Sequence, residues 1–241
     1  APIDLAPHLT VSAWQAEYPW DSHRQAQFKS SSSELDRVWE LCRWTLEAET
    51  LDLYADSNAR QRSVDCQADA NVACQAQYST SVEMALPRLM TEQIMNFAPQ
   101  QPYPFPAPPN ATGGSGGYVS PNWADWTVLP AINVVNDFLY TGDDTLASRW
   151  FDSLLEYHMY IDKINAIGLV EDPKLTALID TSGGSDDGFH ASPVNAVTNA
   201  WVYYGRSQVA QSATWLGRHA DAARLTEIAS KLKAAFNRLL V

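Results

Sequence analysis

The sequence predicts an all-α fold, a stack of helical hairpins arranged as a toroid and incomplete as it stands. Three observations predict it. Apolar residues recur at helical spacing from Ser33 to the C-terminus, with no strand alternation of any length between. Start and stop residues punctuate that pattern into about seven segments. The connections between segments alternate, long then tight, and two of the long ones are rich in Gly and Pro.

Residues 1–32 form a lead-in, in which Thr10-Val11-Ser12-Ala13-Trp14 reads as a short strand or an extended entry. The first helix opens at Ser33, which with Asp36 makes a capping box. Leu35, Val38, Trp39, Cys42, Leu46 and Leu53 form its apolar face. The second helix covers about Cys66 to Tyr78 and the third Val82 to Phe97, separated at Ser79-Thr80-Ser81. The fourth runs from near Trp123 to Tyr140 with Val128, Ile132, Val135 and Leu139 as its stripe. Gly142 stops it, and Asp143 or Asp144 caps the fifth, which buries Leu146, Trp150, Leu154, Tyr157 and Ile161. Ser192-Pro193 opens the sixth, which carries Val197, Trp201, Tyr204, Ala213 and Leu216 to a stop at Gly217. The seventh displays Leu225, Ile228, Leu232, Phe236 and Leu239.

In an up-and-down arrangement alternate connections lie at the same end, so the three long loops share one face, the usual place for function. The second, fourth and sixth helices, each entered from a long loop, are the inner layer, and their N-termini direct free amides at the cleft. A ring of six hairpins needs twelve helices. Residues 33–241 therefore read as part of a toroid, completed by a further segment or a partner chain that covers the open apolar faces.

Composition narrows the partners. With 46% hydrophobic residues the chain can bury a sizeable core, and no apolar run reaches the ~18 residues that span a bilayer. A net charge of −12 without a basic cluster excludes nucleic acid and suits a neutral ligand. The nine Trp and ten Tyr serve helix packing or the stacking of sugar rings. Cys66 and Cys74 form one bridge, or these and Cys42 are buried thiols. The sequon Asn110-Ala111-Thr112 points to secretion. The five histidines include no ligand-like pair, and neither a phosphate loop nor a serine nucleophile elbow is present, so no metal or cofactor is expected.

The first long loop concentrates the chemistry. From Asp56 to Asp69 it holds the carboxylates of Asp56, Asp65 and Asp69 and the guanidinium groups of Arg60 and Arg62. Alone, this is also what a solvated turn with local ion pairs looks like. Asp186-Asp187 in the third long loop reads as a solvated turn, or faces the same cleft.

The loop resembles a pattern of glycoside hydrolase family 78, the α-L-rhamnosidases, written D-x-x-x-R-D-E-x-x-G-W-x-G-D. Asp56, Arg60 and Asp69 match it at identical spacing. The likeness extends to Val11–Phe28 with Trp14 and Tyr18-Pro19, to Trp123-Ala124-Asp125-Trp126 with Pro130 and Gly142-Asp143, and to Ala220–Leu239. What the resemblance implies is an (α/α)6 toroid that removes terminal α-L-rhamnose with inversion. In that chemistry a carboxylic acid protonates the leaving oxygen while a carboxylate ~6.5–9.5 Å away activates water. By the same resemblance Asp56 and Asp69 bind sugar hydroxyls, Arg60 orients them, and Trp123 or Trp126 stacks on the ring.

Four departures set this chain apart from the pattern. The general acid position holds Arg62, which cannot donate a proton at neutral pH. The motif tryptophan falls on Cys66, and Ile179-Asp180-Thr181-Ser182 replaces the Gly-Asp-Trp segment before the third inner helix. The family's general base lies in the second half of the domain, beyond Val241. Asp65 is the candidate substitute acid, its pKa raised by neighbouring carboxylates. Pairing with Arg62 would instead lower it and leave an inactive, sugar-binding or scaffolding toroid.

Overall fold

The computed structural model describes residues 10, 12–14, 25–50, 55–57, 62–63, 67–81, 84–96, 128–163, 167–170 and 194–241. Their regular structure is α1 Ser33–Ala48, β1 Ala55–Ser57, β2 Arg62–Ser63, α2 Gln67–Thr80, α3 Ala85–Asn96, α4 Leu129–Thr141, α5 Thr145–Lys163, α6 Ala196–Trp215 and α7 His219–Leu239. All seven expected helices are present. The β1–β2 pair is an addition to the expected all-helical pattern, and its strands are too short to show alternation. Among the described residues no helix is long and apolar enough to cross a membrane.

Capping sets the helix ends. Ser32, one residue earlier than expected, caps α1 by accepting from the Leu35 amide, while Asp36 accepts the Ser30 amide at 2.7 Å. Gly142, at φ 70°, ends α4 in the left-handed conformation that spares a glycine any Cβ clash. Asp143 then accepts the Thr145 amide at 2.9 Å, at the start of α5. The cap of α6 is Asn195, accepting from the Thr198 amide at 2.9 Å, rather than Ser192, which lies outside the described residues.

Contacts at the two ends fix the helix directions. Tyr78 near the end of α2 stacks on Tyr140 of α4 with ring centroids 4.8 Å apart. Phe138 of α4 stacks in turn on Trp215 at the end of α6, at 4.2 Å. The C-termini of α2, α4 and α6 therefore lie together, and these helices run parallel. The tight turns share that end, where Arg88 of α3 bonds Asp137 of α4 and Asp143, and Arg218 reaches Asp152 of α5. At the other end Asn71 of α2 donates to Asn133 of α4, Nδ2 to Oδ1, at 2.6 Å. Asn199 of α6 clasps both backbone groups of Val170, at 2.7 and 3.3 Å. The inner layer is thus α2, α4 and α6, as the alternation of loop lengths predicts.

The main core joins Val128, Ala131 and Val134 to Leu146, Phe151, Leu154, Tyr157 and Ile161 of α5, with Val202 and Val209 of α6 and Leu225 and Leu232 of α7. A smaller cluster, Cys74, Tyr78 and Met90, ties α2 to α3. Cys74 is a buried thiol whose Sγ donates to the Pro87 carbonyl at 3.6 Å, whereas Cys42 is exposed. The stripe expected of α5 is the buried one. That of α6 is so only in part: Ala213 is buried, but Val197, Trp201 and Tyr204 are exposed, and Val202, Arg206 and Val209 are buried instead. Both faces of α6 carry apolar residues and its packing face includes Thr198, Asn199 and Arg206, so periodicity misassigns it. Gly205 permits the close approach of α6 to α4, since a Cβ there would lie 2.8 Å from that of Val128. On α1 the residues expected to face a core, Leu35 and Val38, are 56% and 55% exposed, and Leu41 and Trp44 are each 62% exposed.

His158 of α5 is fully buried, and among the described residues neither ring nitrogen has a hydrogen-bond partner. Its carbonyl accepts from the Arg206 guanidinium at 3.3 Å. Burial, and then the charge of Arg206, holds the imidazole well below its ordinary value of 6.5, so it stays neutral in the folded protein. The unfolded chain takes up that proton below about pH 6.5, so the native state loses stability as pH falls below this point. The expected slope is up to ~1.4 kcal/mol per pH unit from this residue. Urea titrations between neutral pH and pH ~5 should show it, and a His158→Gln variant should lack that component; an unchanged slope would assign it elsewhere.

Candidate functional site

The acidic loop is built as a hairpin leaning on an inner helix. β1 and β2 pair antiparallel, with Ala55 opposite Ser63 and Ser57 opposite Arg62, so two steps on β1 meet one on β2. Asp56 is the residue at that irregularity. A bulge of this kind bends the strand and is frequent beside active sites. β1 lies against α2, and Asp69 stands in the first turn of α2, where free backbone amides favour a negative group. The backbone thus sets Arg62 on the strand paired with that of Asp56, and that pair's first strand against the helix that bears Asp69, although the three span fourteen residues of sequence. Arg60, Asp65, Trp123, Trp126 and the pair Asp186-Asp187 lie outside the described residues.

Below this hairpin a chain of amides crosses the inner layer. Gln75 Nε2 donates to Asn71 Oδ1 at 3.0 Å, and Asn71 Nδ2 donates to Asn133 Oδ1 at 2.6 Å. Among the described residues Asn133 Nδ2 is buried without a partner, as are Asn195 Nδ2 and Thr198 Oγ1 at the start of α6. Sequence reasoning passes over Asn71 and Asn133. The one signal is a polar residue inside the apolar run Ala131-Ile132-Asn133-Val134-Val135.

A cleft of about 540 Å³ opens at the tight-turn end, lined by Met84, Arg88, Leu89, Glu92, Thr141 and Asp143. It is not the site the hairpin defines. Its charged groups are engaged with each other or with neighbours, Arg88 with Asp143 and Glu92 with Arg149. Among the described residues no three His, Cys, Asp or Glu side chains are grouped to hold a metal.

Hairpins with parallel inner helices, entered from long loops at one end, define the class as a six-hairpin glycosidase fold. More particularly, residues 23–241 match the bacterial alpha-L-rhamnosidase 6 hairpin glycosidase domain, and the chain belongs to that family. In structure it is similar to the family 78 rhamnosidase of Bacillus sp. GL1, with a TM-score of 0.72 and 17% identity over 91% of this chain and 22% of that one. It is similar also to the α-L-rhamnosidase from Dictyoglumus thermophilum, with a TM-score of 0.63 and 15% identity over 89% of this chain and 23% of that one. The chain thus spans less than a quarter of the length of either enzyme. No curated protein sequence matches it. The resemblance carried by Asp56, Arg60 and Asp69 is borne out at the level of family and fold.

Proposed function

We propose that this protein is a glycoside hydrolase that cleaves terminal α-L-rhamnose, or a closely related sugar, with inversion. The observation that carries the reading is the bulged hairpin, which sets Asp56 beside the inner helix that bears Asp69. In this reading both carboxylates accept hydrogen bonds from sugar hydroxyls, Arg60 orients them, and Trp123 or Trp126 stacks on the ring. Asp65, near the vacant acid position, donates the proton to the leaving oxygen. The general base belongs to the second half of the family's domain, supplied by a further segment or a partner chain. Hydrogen bonds to charged groups contribute about 1.5–3 kcal/mol each, so Asp56→Ala and Asp69→Ala should each weaken rhamnose binding by about ten- to a hundredfold. Titration calorimetry with rhamnose reads this directly, and undiminished affinity in both variants overturns the assignment.

Arg62 favours a second reading, a toroid that binds sugar without turning it over. Rhamnose binding without hydrolysis of any rhamnoside distinguishes it from the first.

A further inference from the structure

We propose that Asn71 and Asn133 are positioning residues, a buried amide pair that sets the register of α2 against α4 and so places the sugar-binding carboxylates. The inference rests on the glycosidase reading above. Each residue opens the second turn of its helix, Asn71 lies two residues after Asp69, and β1 lies against the same helix. Both side chains are buried, and the 2.6 Å bond between them runs from one inner helix to the next.

Among the described side chains of α2 the buried apolar ones, Cys74 and Tyr78, lie beyond Asn71 toward the C-terminal end, and Val72 is exposed. Apolar contact tolerates sliding and rotation, whereas a short directional bond fixes both. Gln75 steadies the Asn71 amide from one turn below. Asn133 also interrupts an otherwise apolar stretch and keeps a buried donor that finds no acceptor among the described residues, which an apolar residue of similar size would avoid. A polar group that costs stability yet fixes register is a specificity device. A site that grips a neutral sugar by directed hydrogen bonds needs such support, because small displacements of its carboxylates forfeit those bonds.

The test is rhamnose affinity by calorimetry on the purified protein, beside melting temperature, for Asn71→Ala, Asn133→Ala and the double variant. Each single variant should weaken binding by about tenfold, the lower end for outer-shell partners, and the double variant no further than either single. Leu225→Ala, in the core far along the array, is the control: it should lower the melting temperature and leave the affinity of the folded protein unchanged. Should Asn133→Ala fail to fold, Asn71→Ala removes the same bond from its other side. Unchanged affinity in the variants that fold, whatever their melting temperatures, overturns the positioning role. Absence of binding by the natural protein instead overturns the glycosidase reading, and the role of the pair with it.

Discussion

Arg62→Glu is expected to raise the hydrolysis of rhamnosides with poor leaving groups by about 10²–10⁴-fold, the range that a positioned general acid contributes. Position 62 lies on β2, opposite Ser57 and adjacent to the bulge at Asp56, so a carboxyl group introduced there stands on the strand paired with that of Asp56, a residue proposed to bind sugar. A guanidinium in that place has no proton to give at neutral pH. The gain should depend on the leaving group. A p-nitrophenolate departs readily without protonation, so p-nitrophenyl rhamnoside should benefit least, whereas an alkyl rhamnoside or a disaccharide should benefit most. The natural protein adds a second arm. With Asp65 as donor, Asp65→Asn should abolish its activity on alkyl rhamnosides while sparing the p-nitrophenyl compound. An Arg62→Glu protein that hydrolyses the aryl substrate but gains nothing on the alkyl one would sink the assignment of position 62.

Arg88→Ala should cost about 3–5 kcal/mol of stability, the loss typical of removing one partner from a buried ion pair. Asp137 is fully buried and accepts from Arg88 Nε at 3.2 Å and Nη2 at 2.8 Å, and from the Tyr78 hydroxyl at 3.4 Å. The hydrogen bond to Asp137 raises the Arg88 guanidinium above its already high value, so no accessible pH discharges the pair from that side. Without Arg88 the carboxylate is stranded among α2, α3 and α4. For a chain of this size the expected fall in melting temperature is about 6–20 °C. The same substitution made in an Asp137→Asn background should cost far less, because no buried charge remains to be stranded. Equal costs in both backgrounds would show that Arg88 acts through packing alone.

Much of this architecture is legible in the sequence. The stops at Gly142 and Gly217 and the stripe of α5 follow from rules that act within a turn or two of helix. The alternation of loop lengths gives the inner layer. What is not legible depends on partners distant along the chain. The exposed face of α1 and the partly misassigned face of α6 are settled by what each helix packs against, and periodicity reports only that an apolar face exists. At the site, the spacing of Asp56, Arg60 and Asp69 is visible as a family pattern, whereas the hairpin beneath it is too short to announce itself. The Asn71–Asn133 pair is invisible for another reason. The two residues are 62 apart, and an asparagine within a helix carries no spacing signature.

The inner layer has a mechanical consequence. α4 touches both α2 and α6, and those two are joined through it. Among the described residues the inner helices therefore form a row, with cohesion passed from neighbour to neighbour. Damage at α1, none of whose residues is buried, peels one end and leaves the rest standing. Damage in α4, buried from Leu129 through Val135, severs the row at its middle. The hairpin that carries Asp56 then parts from the α6–α7 pair, so binding and cohesion should fail together there and separately at the edge.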